Sequence, residues 1–413
     1  MFSVFLLLPA LPAAAAVLVP MDDQQVDHLK AYGLAYWILQ QEQRVDWLLN
    51  YRGGSFLVPE EFTGLLREAS LRGVTVESAT AADVAQIQAT IAENNMESVK
   101  LEKAPRVAVY VPPNTLPWDD AVTLALTYAQ IPYVSLWDEE VLRGDLAKYD
   151  WLHLHHEDFT AQYGKFWAGF RDAPWYHEQV DANEAVAKRL GFRKVTELKH
   201  AVARKIHAYV AAGGFMFAMC SATDTYDIAL ATENTDIAAD IYDGDPADPA
   251  AQQKLDFTGT FAFRNFRLEM NPLIANTFSD IDCTQEVMLR GPDSYFTLFE
   301  FSAKQDPVPT MLTQDHVNAV PDFLGQSTAF RRRTLKPYVT VLASVENTDE
   351  VKYLHGQYGR GTFTFFGGHD PEDFQHQIYD PPTDLSLHKN SPGYRLILNN
   401  VLFPAAEKKK QKT

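Results

Sequence analysis

Residues 212–224 read AGGFMFAMCSATD. Gly213 and Gly214 end the helical pattern before them, and Phe215–Met219 follows as an apolar run with no alternation. A strand buried on both faces reads this way, and such strands belong to parallel sheets. Cys220 stands where the strand gives way to a turn. Functional groups of parallel α/β sheets gather at the carboxyl ends of strands, and a nucleophile on a sharp strand-to-helix turn is held exposed. A helix over 223–231 would aim its first amides at the thiol, favouring the thiolate and offering an oxyanion hole. Two blander readings stand beside this one. Free cysteine is commonly a small apolar core residue, and in an oxidising compartment Cys220 could pair with Cys283.

Outward from this strand the chain alternates. Residues 106–111, 133–136 and 150–155 predict strands, and 118–129, 178–190 and 194–212 predict helices. A late strand, GTFTFF at 361–366, ends in Gly367-Gly368-His369-Asp370, and 391–403 predict a closing helix. Toward the N-terminus, strands at 17–20, 45–49 and 74–76 alternate with helices near 26–38, 59–71 and 81–94. Alternation of this kind implies parallel pairing through right-handed crossovers. Residues 97–105 read as a linker. Residues 232–345 are rich in Pro, Asp and short β-like runs (258–263, 295–301, 338–342) and read as a β-rich insertion. The expected divisions are a leader at 1–16, an N-terminal α/β segment at 17–96 and an α/β core at 106–231. The insertion at 232–345, a return to the core at 346–403 and a basic tail at 404–413 complete them.

Composition bounds the function. The 413 residues carry 36 Lys+Arg against 54 Asp+Glu, a formal net charge of -18. Such a surface repels phosphate backbones, which argues against nucleic acid as a partner. Two cysteines exclude a disulfide scaffold and a four-cysteine zinc site. Residues 2–16 (FSVFLLLPALPAAAA) form a short apolar run closing on small residues, the pattern of a secretory leader cleaved near Ala16. The chain is therefore expected in the periplasm or secreted, with no membrane span in the mature part.

Two further constellations can carry chemistry. His369 leaves the strand GTFTFF after two glycines and precedes Asp370, Pro371 and Glu372. A histidine there can act as a general base oriented by a carboxylate, or it can simply bond its own loop. His153-Leu154-His155-His156-Glu157-Asp158 puts His153 and His155 on one strand face, with Glu157 joining them if the strand continues. His153, His155 and Glu157 could hold a divalent metal. Alternatively His155, His156 and Glu157 line a cleft shared with Cys220 and, with Asp224, meet a substrate. Arg331–Arg333 and the aromatic stretch 166–176 read first as a solvated cluster and a core cover. There is no phosphate-binding GxxxxGK[ST] loop and no HExxH motif.

Residues 106–230 with 352–403 resemble the class I glutamine amidotransferase-like fold, a flavodoxin-like parallel α/β architecture. The run YLHGQYGRGTFTFFGGHD (353–370) looks like the closing segment of its trehalose-utilisation (ThuA-like) branch. The resemblance implies Cys220 as nucleophile and His369 as base, with Asp370 or Glu372 as the orienting acid. Three positions depart: Ala218 and Ala222 stand where the family elbow has glycine, and Pro371 stands where it has glutamate. The whole chain also resembles exported bacterial proteins labelled asparagine synthetase B, yet it has neither an N-terminal nucleophilic cysteine nor an SGGxDS loop. The expectation is a cysteine–histidine hydrolase or transferase acting on an amide or ester carbonyl of a small-molecule or cell-envelope substrate, without a cofactor. The alternative is a ligand-binding module of the same fold, for a carbohydrate or cell-envelope fragment. Substrate and oligomeric state are not written in the sequence.

Overall fold

The computed structural model describes residues 16–113, 120–312 and 317–408. The expected leader lies outside the described residues apart from Ala16, as do Trp118 and Asp119 of the expected fourth helix and the tail from Lys409 onward.

The N-terminal segment forms one sheet from β1 (Ala16–Val19), β2 (Val45–Leu49), β3 (Phe56–Val58), β4 (Glu77–Ala79) and β5 (Glu97–Leu101), in the order β4-β1-β3-β2-β5. Every neighbouring pair is antiparallel, which corrects the parallel pairing expected here. The cause is local. After β2 the chain reverses within Asn50–Gly54, where Asn50, Arg52, Gly53 and Gly54 all take positive φ (63°, 46°, 75° and 89°). A reversal this short allows only an antiparallel return, because parallel strands need a crossover of a dozen or more residues. The strand β3 was missed, and the helix expected from Pro59 begins only at Leu65. The supposed linker contains β5, an edge strand paired with β2 from Val45↔Leu101 to Leu49↔Glu97. Its charged residues suit a sheet edge and disguised it as linker.

The second sheet contains β6 (Val107–Tyr110), β7 (Tyr133–Leu136), β8 (Trp151–Leu154), β9 (Phe215–Met219), β10 (Tyr295–Leu298) and β11 (Ala319–Pro321). It continues with β12 (Phe330–Arg331), β13 (Thr340–Ser344), β14 (Glu350–Tyr358) and β15 (Gly361–Phe366). Its order is β11-β10-β13-β14-β15-β9-β8-β6-β7, with β12 beside β14. The half β15-β9-β8-β6-β7 is parallel; the rest is antiparallel. Numbered along the chain, the parallel strands run 2-1-3-4-5 across the sheet. The fold is thus mixed α/β, with parallel and antiparallel pairing in one sheet.

The expected β-rich insertion is largely irregular, but β10–β13 extend this sheet rather than forming one of their own. The strand expected at 258–263 is absent. Instead the amides of Phe261, Ala262 and Phe263 converge on the buried carboxylate of Asp227 at 2.6–2.8 Å, satisfying three donors that a strand would have paired in a ladder.

Burial on both faces explains the unbroken apolar run Phe215–Met219. Phe215, Phe217 and Met219 face one core with Val107, Val109 and Trp151. Met216 and Ala218 face the other with Ala108, Leu152 and Leu154. The helices His28–Gln40, Ala121–Tyr128 and Pro392–Leu402 cover the first face, and Val195–Ala211 and Ala222–Ala231 cover the second. Tyr32 Oη donates to Asn399 Oδ1 at 2.7 Å, tying the N-terminal segment to the closing helix. The β14–β15 hairpin turns through Gly359 (φ 59°), where a Cβ would lie 2.6 Å from the Ala211 carbonyl oxygen. No helix among the described residues is long and apolar enough to cross a membrane.

Candidate functional site

The carboxyl ends of β8, β9 and β15 meet. Cys220 follows β9 directly and takes φ 51°, left-handed backbone that costs a non-glycine residue about 1–2 kcal/mol. The helix Ala222–Ala231 starts two residues later. The elbow is tied to both neighbours: the Cys220 amide donates to Gly368 O at 3.2 Å, and the Ala222 amide donates to His155 O at 3.0 Å. The thiol is 2 % exposed. The Gln326 amide donates to Sγ at 3.3 Å. Burial pushes the thiol up to about 11, although the amides of Gln326, Ser221 and Ser327 pull the other way. Cys283 is buried and both cysteines are free, so the disulfide reading does not hold in this structure.

Gly367 and Gly368 let β15 end tightly. A Cβ at Gly368 (φ 95°) would lie 2.4 Å from the Phe323 ring. His369, 7 % exposed, emerges beside the elbow. Its Nδ1 lies 2.9 Å from His155 Nε2. His155 Nδ1 in turn lies 3.1 Å from Asp120 Oδ1 and 3.3 Å from His153 Nε2. His153 Nδ1 donates to Phe217 O at 3.1 Å, so in its neutral form its Nε2 is an acceptor. His155 Nδ1–H therefore donates toward Asp120 and His153. With His155 neutral, its Nε2 accepts from His369 Nδ1–H, and the lone pair of His369 stands on Nε2. That atom is buried and has no hydrogen-bond partner among the described residues.

Burial and charge oppose one another along this array. Burial would raise the Asp120 carboxyl, but His155 and His153 outweigh it and hold the group well below the usual carboxylate range. Burial lowers His155 while Asp120 outweighs it, leaving His155 raised. Burial lowers His153, with Asp120 opposing it. Burial with the nearby His155 brings His156 down to about 3, and burial with its histidine neighbours puts His369 well below the ordinary value. Burial lifts Glu157 to about 7 and Asp224 to about 8.

Each expected residue has a definite place. Cys220 and His369 sit side by side on neighbouring strand ends, but Sγ is bonded to Gln326 and His369 to His155, not to each other. Glu372 pairs with His388 at 2.8 Å, away from the role the resemblance implies. Asp370 accepts from Thr383 Oγ1 at 2.7 Å and from the Glu372 amide at 2.9 Å. Glu157 accepts from the His155 amide at 3.0 Å and fixes that loop; His153 and His155 group with Asp120 instead of Glu157. Asp224 Oδ1 accepts from Ser327 Oγ at 2.6 Å, and Oδ2 is buried without a partner among the described residues. In the aromatic stretch, Phe166, Phe170 and Trp175 pack on one another. Arg331 and Arg333 pair with Glu286 and Asp280.

Asp120 was missed. It caps the helix Ala121–Tyr128 by accepting from the Val122 amide at 2.7 Å. The available signal was an aspartate opening an apolar helix just after β6, at the point where the parallel strand order reverses and ligands bind in such sheets. A cavity of about 40 Å³ lies beside the cluster, lined by Trp137, His156, Glu157, Asp158, Tyr163 and Lys199 among others. It is room for a few waters. A larger groove of about 1040 Å³ runs past Arg106, Asp150, Phe215 and Gly361 at the amino ends of the strands, away from these side chains.

No protein-family model and no curated protein matches the sequence. Among solved structures, the chain is similar to the cytoplasmic protein STM3548 from Salmonella typhimurium, at 9% identity and a TM-score of 0.35 over 73% of this chain and 100% of that one. The cytoplasmic protein STM1381 from Salmonella typhimurium LT2 matches at 10% identity and 0.35 over 73% and 99%. The GH42 beta-galactosidase Gan42B matches at 11% and 0.27 over 65% and 28%. Likeness at these scores decides neither fold family nor activity.

Proposed function

We propose that the parallel half is flavodoxin-like in the manner of the class I glutamine amidotransferases. On this reading the chain is an exported hydrolase or acyl transferase acting on an amide or ester carbonyl, with Cys220 as nucleophile and His369 as base. The elbow carries the reading: Cys220 holds left-handed backbone at the end of a buried parallel strand, its amide bonded to the residue before His369. The 2-1-3-4-5 order of parallel strands supports the flavodoxin-like assignment. The apolar run at 2–16 supports export.

A thiol raised to about 11 is neutral at physiological pH, so attack requires a base. His369 Nε2 takes the thiol proton as sulfur bonds the carbonyl carbon and the C=O electron pair moves onto oxygen. The adduct expels an amine or alcohol, which leaves with the proton from His369, and a thioester remains on Cys220. Water then attacks the thioester with His369 again as base, releasing the acid and restoring the thiol. When His369 Nε2 gains a proton, its Nδ1 proton can pass to His155 Nε2, where Asp120 stabilises the charge. Asp224, protonated at about 8 and below, can donate one hydrogen bond toward a substrate oxygen.

Incubation with p-nitrophenyl esters and short amides, with Cys220 followed by mass spectrometry, tests this. Acylation of Cys220 and loss of turnover in Cys220→Ser are the expected results. Turnover at the wild-type rate in Cys220→Ala would refute it. The second reading, a carbohydrate or cell-envelope binding module, is favoured by the 2 % exposure of the thiol. It predicts ligand-dependent stabilisation that survives Cys220→Ala.

A further inference from the structure

We propose that His155, His156 and His369 form a binding site for one divalent transition-metal ion. The inference rests on the same cleft as the proposed function but not on Cys220. One ring nitrogen of each histidine lies within 4.8 Å of the others. Two of the imidazoles come from the end of β8 and the third from the end of β15, so the sheet itself holds their spacing. Three imidazoles converging without a thiolate suit a late first-row metal rather than calcium or magnesium.

The geometry narrows the choice. His155 Nε2 and His369 Nδ1 are 2.9 Å apart. Two nitrogens each about 2.1 Å from a common metal then subtend about 90° at it. A tetrahedral pair would need about 3.4 Å. That cis angle belongs to six-coordinate or square geometry.

The surroundings are those of a ligand set. His155 Nδ1–H donates to Asp120 Oδ1 at 3.1 Å, the carboxylate–histidine arrangement that fixes a ligand's tautomer and turns its other nitrogen toward a metal. His153, bonded to Phe217 O, packs behind. The Glu157 carboxylate bonds the His155 amide and holds the loop that carries His155 and His156. His156 also lines the small cavity, which offers the route in. Without metal, His155 and His369 share a proton at the same atoms. The ion takes the place of that proton, so metal binding and the proton transfer to His155 exclude one another.

Titration of the full chain, stripped with chelator, with Co²⁺ or Ni²⁺ against a chromophoric competitor tests the site. The expected result is one ion per chain in the wild type and in Cys220→Ala. Asp120→Asn should weaken binding about 10–100-fold, and His156→Gln or His369→Gln should weaken it more. Thermal unfolding of each variant checks that it is folded, and His156→Gln, the least buried of these positions, serves if His369→Gln is not. No stoichiometric binding by the wild type, or undiminished binding by folded His156→Gln, overturns the inference. Inhibition of esterase turnover by the bound ion would agree with both readings. Turnover that requires the ion and survives Cys220→Ala would keep the metal site and overturn the cysteine mechanism.

Discussion

Replacing Asp224 by Asn should stabilise the protein, and more so as pH rises. The carboxyl is fully buried in the first turn of the helix after the elbow, with Ser327 Oγ on one oxygen and no hydrogen-bond partner on the other among the described residues. Burial raises it to about 8, with Asp282 adding to the rise and the Ser327 hydroxyl opposing it. The folded protein therefore holds a proton that the unfolded chain releases above its ordinary value of 3.8. For a raised acid, the stability this group contributes is full below pH 3.8 and is lost as pH climbs toward 8. Each unit in that window costs about 1.4 kcal/mol, so the loss by pH 7 is roughly 4 kcal/mol. Asn keeps an acceptor for Ser327 and cannot ionise. Guanidinium unfolding from pH 5 to 8.5 reads the difference: Asp224→Asn should gain on the wild type by about one proton's slope and exceed it by several kcal/mol at pH 8. Parallel stability curves would mean that Asp224 is ionised in the fold and that the account of this buried cluster is wrong. If the stabilised variant also loses turnover, the residue is one where stability was given up for function.

Alkylation of Cys220 in native protein should be slow at pH 7 and still rising at pH 9, as its value of about 11 requires; a fast reaction saturating below ~8.5 would mean an activated thiolate. Gly368→Ala combines a positive φ with a Cβ 2.4 Å from the Phe323 ring, so chemical denaturation should show a loss of about 2–5 kcal/mol. A midpoint unchanged from the wild type would show that β15 ends differently. Asp120→Asn should reduce turnover more than Glu372→Gln and move the acidic limb of its pH profile to lower pH, because Asp120 touches His155 and raises it whereas Glu372 pairs with His388. The reverse ranking would restore Glu372 as the orienting acid.

Much of the parallel half was legible because all its strands but the edge strand β7 are largely buried on both faces. The run FMFAM has no polar face to confuse the period, and the glycines beside FMFAM and GTFTFF mark where these strands begin or stop. The antiparallel N-terminal sheet was not legible. Its pairing depends on a five-residue reversal and on a polar edge strand, and neither leaves a period in the sequence.

Sequence alone placed candidate reactive side chains at the strand ends. Cys220 and His369 end buried strands, and the histidine run at 153–156 ends a third, because strand ends are where a buried sheet meets solvent. Only the tertiary structure decided who pairs with whom. His369 turned out to face His155, and Glu372 turned to His388. Asp120, 33 residues before His153 in the chain, closed the array from a neighbouring helix. Strand order brings these groups within 3 Å or so of one another, and strand order is a property of the whole sheet that no local pattern of residues records.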